Sequence, residues 1–415
     1  MEDRKKFETR ELPNGVTVHS HAMDVPFFSI GIILPVGVAH SHTGNPGGVP
    51  GIAHFLEHAL FHRSKLYPEK GSFEKKVALK GGYWNAFTGP FSTAFELDAP
   101  LDLQVEAVEG FFDHVFNPII LEEDLAIERG IVRNERDQRK YYPGADEVEE
   151  YLDTQWMHDR FYPKEQAFGS DADLGGMTAD AVRLFHHQYS AKGIQIVVGG
   201  GHRLDPILDR AASIATTDVA LTSSVEEAGW VRREYHEKSF RNIATPTYYL
   251  GSIVPRFDLF EEYTLQFILR LLTNEVHGPL YEWLRKEKGW TYGTHWGNSS
   301  SRDRMEMWLK IPVNDRAVVA TIRNEIHERI RKALANAALV EREVSRREHN
   351  TLFFYQKLDD RLGEAANNLM KVGRIISEQE YREMSRRLND TTLLLDLYEK
   401  YLSPSVSGEV LLLPE

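Results

Sequence analysis

Twice along this chain the apolar spacing passes from a period of two to a period near 3.6 and back. The order is the same in each half, which restricts the fold to mixed α and β elements in two parts. In the first half the turn Pro13-Asn14-Gly15 precedes Val16-Thr17-Val18, and Phe27 to Leu34 is β-rich, so 15–38 reads as strands. The stretch Gly44 to Gly51 carries four glycines and two prolines and reads as a loop. Helices are predicted over 52–61 and 71–79, the second stopped by Gly81-Gly82. A strand over 91–97 and helices over 101–115 and 122–141 follow. Thr178 opens a further helix, and Ile194 to Val198 is a strand. The second half offers a strand over 248–254, a helix over 260–273, the turn Val276-His277-Gly278-Pro279, a helix to Lys288 and a strand over 305–311. The halves share element order and no residue-level repeat. Between them, 216–229 turns to small and acidic residues and reads as a linker. At about 150 residues per domain the chain makes two. The expected fold is α+β, with related domains at 1–215 and 230–415, each an antiparallel or mixed sheet covered by helices.

The 415 residues include no cysteine, which excludes a disulfide scaffold, an iron–sulfur cluster, a thiolate zinc site and a catalytic thiol. Any metal must therefore sit on histidine and carboxylate ligands. The formal net charge of −13 repels phosphate backbones, so nucleic acid is not an expected partner. Arg323 to Arg347 mixes Arg and Glu at helical spacing, as ion pairs on a solvated helix do. No phosphate-cradling G-x-x-x-x-G-K-[ST] loop is present. No run of about 18 apolar residues marks a membrane span, and the basic residues at 4–6 have no apolar run behind them. No membrane partner and a cytoplasmic location are the expectations. Trp156, Tyr162 and Trp230 are expected in the core.

The informative pentapeptide is His54-Phe55-Leu56-Glu57-His58. Helix positions four apart share a face, so His54 and His58 can grip one metal ion. Glu57 lies on the same side, within reach of a water on that metal. The order inverts the commoner H-E-x-x-H zinc peptidase motif and matches the inverzincin signature. A third protein ligand is needed, and without cysteine it should be a carboxylate. His62 continues the four-residue spacing and is read as a flank, because a catalytic zinc keeps one position open. Downstream, Glu128 and Glu135 are seven apart and share a helix face.

With these residues in place the sequence resembles the pitrilysin-like zinc metallopeptidases, in particular short-chain bacterial members similar to the mitochondrial processing peptidase subunits. Their H-x-x-E-H motif is followed at a similar distance by a glutamate ligand, with another glutamate seven residues before it. The resemblance implies that His54, His58 and Glu135 are ligands of a Zn2+ cofactor, that Glu57 is the general base, and that Glu128 orients the site from behind the ligands. It also covers Leu12-Pro13-Asn14-Gly15 and the block Asn85-Ala86-Phe87-Thr88. That block implies an edge strand receiving the substrate backbone by β-augmentation, with Asn85, Ala86 and Thr88 as substrate-binding residues. Leu280 to Tyr292 resembles an L-x-x-x-L-R-x-x-x-G-x-x-Y element, so Arg285 and Tyr292 are implied to reach the active site and stabilise the oxyanion.

The loop after the second predicted strand departs from the family pattern, reading Val36-Gly37-Val38-Ala39-His40-Ser41-His42, and Phe95 stands where a tyrosine is frequent. His40 and His42 are assigned to an exposed Gly/Pro-rich loop and not to a second metal. The implied activity is zinc-dependent endoproteolysis of peptides or small unfolded proteins. The implied architecture is a half-clamshell whose working unit, a homodimer, encloses a chamber. A non-catalytic scaffold or assembly subunit is the rival from another class, and a processing protease dedicated to one partner peptide is the third reading.

Overall fold

The computed structural model describes residues 7–141, 148, 151–152, 156, 167–190, 192–217, 221–223, 232, 234–241, 243–255, 258–300, 304–354 and 357–415. Tyr162, Trp230 and much of 216–229 lie outside them. The structure divides into two compact units, one of 1–138, 163–227 and 357–375, the other of 139–162, 228–356 and 376–415.

The first unit is built on a six-stranded sheet of β1 (Glu8–Glu11), β2 (Thr17–Ala22), β3 (Phe27–Leu34), β4 (Tyr83–Thr88), β5 (Thr93–Pro100) and β6 (Gln195–Gly200). Its order is β1-β2-β6-β3-β5-β4, with β2 and β6 parallel and the other pairs antiparallel. On one face Val18, Phe28, Ile30, Ile32, Phe95 and Leu97 pack against four helices. These are α1 (Ile52–Ala59), α2 (Ser72–Leu79), α3 (Gln104–Phe116) and α4 (Glu122–Tyr141). On the other face Ile33, Ala94 and Val197 are covered by Ala365 and Leu369, from the helix Leu358–Val372. That helix comes close enough that a Cβ on Gly199 would stand 2.7 Å from Leu358.

In the second unit, β7 (His236–Phe240), β8 (Thr247–Pro255), β9 (His295–Ser300), β10 (Arg304–Pro312) and β11 (Gly408–Pro414) form the order β7-β11-β8-β10-β9. β7 and β11 are the parallel pair. The sequence β2-β6-β3-β5-β4 therefore recurs strand for strand, down to a last strand inserted beside the first. Each sheet also has its far face covered by a segment from the other half of the sequence. Here that segment supplies Val148, Tyr151 and the fully buried Trp156 against Tyr249, Ile253 and Leu412. The expected α+β pair of related sheets is what the chain forms, and Trp156 is a core residue as expected.

Some local expectations shift. The strand expected at 91–97 runs from Thr93 to Pro100, because Phe91 and Ser92 complete the hairpin loop, where Gly89 donates to the Ser92 carbonyl. The helix expected to reach Lys288 begins at Pro279–Tyr281 and continues as a π-helix over Glu282–Glu287. The loop expected to expose His40 and His42 is exposed at Thr43, Gly44 and Pro46 and only in part at His42, and it buries His40. Val38, Ala39 and His40 are buried, and His40 Nδ1 accepts the Gly37 N–H at 3.0 Å. His42 and Asn45 both bond the Thr222 carbonyl, at 2.8 Å each, so these side chains tie down the described part of 216–229. No helix among the described residues is long and apolar enough to cross a membrane.

Candidate metal centre

α1 carries the pentapeptide and starts abruptly. Gly51 at its N-cap has φ +86°, where a side chain is strained, and a Cβ there would stand 2.6 Å from the main chain of Phe168 and Gly169. This close approach seats the Phe168 ring edge-on against His54, centroids 4.9 Å apart. Ile52, Phe55, Leu56 and Ala59 anchor α1 in the core, while His54 and His58 stack edge to face at 4.7 Å. α4 opens with Glu122, Glu123 and Asp124, the charge sign its positive dipole end favours.

The two helices bring their ladders together. Glu135 Oε2 lies 3.6 Å from His54 Nε2 and 3.4 Å from His58 Nε2. Donors held 2.0–2.1 Å from a tetrahedral ion stand about 3.3 Å from one another, so each of these two separations fits an imidazole nitrogen and a carboxylate oxygen sharing one zinc. Two imidazoles and a carboxylate are also a donor set that zinc takes. His54, Glu57 and His58 form a second combination whose donor atoms lie within 4.8 Å. Glu57 is nevertheless engaged elsewhere. Thr88 Oγ1 donates to its Oε2 at 2.5 Å.

Behind His58 stands Glu128, buried at 6% exposure. Its Oε2 accepts from His58 Nδ1 at 3.1 Å and its Oε1 from His62 Nε2 at 2.7 Å. With Nδ1 committed to Glu128, Nε2 is the His58 nitrogen turned toward Glu135, and it would bind a metal once its own proton is displaced. Burial alone would lower the His58 pKa, but the bonds to Glu128 and Glu135 outweigh it and raise the value to about 9. Burial likewise works against the Glu128 carboxylate, and His58 and His62 pull it down to about 2 all the same.

β4 is one of the two edge strands of its sheet and, among the described residues, pairs with β5 alone. Because Gly89 and Ser92 are hydrogen-bonded across the hairpin, the alternation of an antiparallel ladder turns the main chain of Phe87, Asn85 and Tyr83 toward β5. Trp84, Ala86 and Thr88 turn theirs toward the open side. Side chains alternate too. Thr88 points to Glu57 and Trp84 into the core, whereas the exposed Asn85 side chain lies on the opposite face of the strand.

The structure thus groups His54, Glu57, His58, Thr88, Glu128 and Glu135, and places Ala86 on the neighbouring edge. It turns the Asn85 side chain away. Arg285 and Tyr292 belong to the second unit. There Arg285 donates to the Tyr292 carbonyl, and its guanidinium lies 4.2 Å from the Tyr292 ring centroid. Tyr292 is 84% exposed and so is not a core residue. The contacts of His62 with Glu128 and of Thr88 with Glu57 were not anticipated. The signal for the first was the matched spacing of four, His58–His62 against Asp124–Glu128. The second is a long-range contact and left no such signal.

Residues 17–164 match the sequence model of the family described as Insulinase (Peptidase family M16), and residues 176–346 that of the Peptidase M16 inactive domain. The chain is 29% identical over 177 residues to insulin-degrading enzyme-like 1, peroxisomal, of Arabidopsis thaliana, covering 40% of this chain and 18% of that protein. It is 26% identical over 218 residues to Protease 3 of Escherichia coli strain K12, covering 51% of this chain and 22% of that protein. The matched segments therefore span less than a quarter of the length of these curated relatives. The crystal structure of a protease from Helicobacter pylori shares the fold, with a TM-score of 0.80 at 18% identity over 99% of this chain and 100% of the other.

Proposed function

From the premise that the chain belongs to the M16 peptidase family, we propose that it is a zinc-dependent endopeptidase acting on peptides or small unfolded proteins. The observation that carries this reading is the convergence of His54, His58 and Glu135 at ligand spacing with the Glu57 carboxylate beside them.

Zinc, when bound, supplies a Lewis acid that polarises the scissile carbonyl and lowers the pKa of a water to about 7. The remaining work falls to the chain. Glu57 takes a proton from the attacking water and delivers it to the departing amine nitrogen as the C–N bond breaks. Thr88 holds one Glu57 oxygen and so fixes the direction of the carboxylate. Glu128 engages Nδ1 of His58, so Nε2 is the nitrogen that would give up its proton to bind zinc. The open main chain of Ala86 and Thr88 gives an extended peptide a strand to pair with, with little demand on its side chains. Arg285 and Tyr292 are the candidates to hold the carbonyl oxygen as charge develops, whether in their own chain or in a partner.

The working unit in this reading is a homodimer enclosing the substrate. Light scattering that found only monomer at micromolar concentration would remove that part. The rival scaffold reading draws on the description of the second matched model as an inactive domain, but that match covers 176–346 and the metal-binding set lies within 17–164. The test is digestion of a mixed peptide library with and without a chelator. Chelator-sensitive cleavage restored by zinc is expected, and intact peptides under all conditions would favour the scaffold. Cleavage confined to one sequence would instead favour a dedicated processing protease.

A further inference from the structure

His62 lies just past the end of α1 at Ala59, with its ring buried at 6% exposure. No feature of the peptidase chemistry above calls for it. Its Nε2 is 2.7 Å from Glu128 Oε1, while the other oxygen of that carboxylate receives His58 Nδ1. A buried carboxylate needs a donor on each oxygen, and His58 can serve only one of them. His62 serves the other. The bond also commits His62 Nε2 to the carboxylate, so the ring acts on a metal through Glu128 and not as a ligand.

His62 is itself backed from α4. Asp124, one turn before Glu128, approaches His62 Nδ1 at 3.9 Å, too long for a hydrogen bond. Asp124 is fixed by Arg63 Nε at 2.7 Å and Lys70 Nζ at 3.4 Å, and Arg63 in turn donates to the Pro68 carbonyl at 3.0 Å. A chain of polar contacts therefore runs from the Pro68 main chain through Arg63, Asp124, His62 and Glu128 to His58.

We propose that His62 is a positioning residue for the metal centre. By anchoring Glu128 Oε1 it fixes the direction from which Oε2 receives the His58 N–H, and so the direction in which His58 Nε2 presents its lone pair. Without His62 the carboxylate is free to turn about its last bond, and His58 loses its orienting partner. The inference rests on the zinc reading above.

The test uses the full chain and reads metal binding directly. Zinc affinity is measured by competition with a chromophoric chelator, and coordination by the visible spectrum of the cobalt(II)-substituted protein. His62→Phe, which keeps a ring and removes the donor, should bind zinc about 10- to 100-fold more weakly, the usual cost of losing a partner behind a ligand. Its cobalt spectrum should change as well. His62→Gln, whose amide nitrogen falls at the Nε2 position, should restore both the affinity and the spectrum. Should His62→Phe fail to fold, His62→Asn replaces it. That amide falls at the Nδ1 position, short of Glu128, and the same weakening is expected. Wild-type affinity and spectrum in His62→Phe or His62→Asn would overturn the proposal. So would a His62→Gln protein as weak as His62→Phe, since restoring the donor to Glu128 would then restore nothing. A wild-type chain that takes up no zinc would overturn the zinc reading itself, and this inference with it.

Discussion

Replacing Thr88 by valine separates the placement of the base from the binding of the metal. The substitution keeps the β-branched shape that a strand accepts and removes one hydroxyl from the end of β4. That hydroxyl is 2.5 Å from Glu57 Oε2. Thr93, 3.4 Å away, is no substitute, because its own hydroxyl proton goes to the Val36 carbonyl at 2.8 Å. A hydrogen bond to a charged group is worth about 1.5–3 kcal/mol. At about 1.4 kcal/mol per factor of ten, and with the bond needed to aim the base in the transition state, kcat/KM should fall about 10- to 100-fold. The loss should appear in kcat, since Thr88 would still offer its main chain to a bound peptide. Zinc content should stay at the wild-type level, because His54, His58 and Glu135 keep their contacts. The assay is steady-state cleavage of a fluorogenic peptide beside metal analysis of the same preparation. Full zinc with kcat/KM within about twofold of wild type would refute the role given to Thr88, being less than the weakest such bond allows.

The metal-free protein should show a pH signature of the His58–Glu128 pair. The His58 value of about 9 lies above its ordinary 6.5, so its stabilisation is whole below pH 6.5 and is lost as pH rises through about 9. The Glu128 value of about 2 lies below its ordinary 4.5, so its contribution is whole above 4.5 and is lost as pH falls through about 2. The thermal midpoint without metal should therefore decline on both sides, and a midpoint unchanged between pH 6.5 and 9.5 would contradict the pairing. Zinc must displace the His58 proton, so its affinity should rise about tenfold per pH unit up to about 9. A pH-independent affinity in that window counts against His58 as a ligand. Gly51→Ala should destabilise the first unit by about 1–3 kcal/mol, because the new Cβ meets backbone at 2.6 Å and φ is +86°. Denaturant melts would show it, and an unchanged midpoint would say that α1 starts differently.

Much of the centre was legible because it is written along single helices. His54 and His58 sit four apart on α1, and Glu128 and Glu135 sit seven apart on α4, so periodicity alone puts each pair on one face. What periodicity does not reveal is which faces meet. Glu128 joining His58 to His62 depends on two helices packing in one register, and Thr88 reaching Glu57 depends on the turn of an edge strand. The strand Tyr83–Thr88 was reached through resemblance, since Tyr83, Asn85 and Phe87 are all exposed and only Trp84 is deeply buried. The sheet faces were still harder to foresee. Ala365 and Leu369 cover the first sheet, and Val148 and Trp156 cover the second, each from the opposite half of the sequence. An apolar helix stripe carries no mark of which sheet it will cover.

The central claim is that Glu57 moves the proton at a zinc held by His54, His58 and Glu135. Glu57→Gln tests it most directly, because the amide keeps the side chain's shape and removes its capacity as a base. The measurement is peptide-library cleavage by this variant at verified zinc content. The account predicts wild-type zinc with cleavage reduced at least 10²- to 10⁴-fold, roughly the contribution of a general base. Cleavage at the wild-type rate with zinc in place would contradict it.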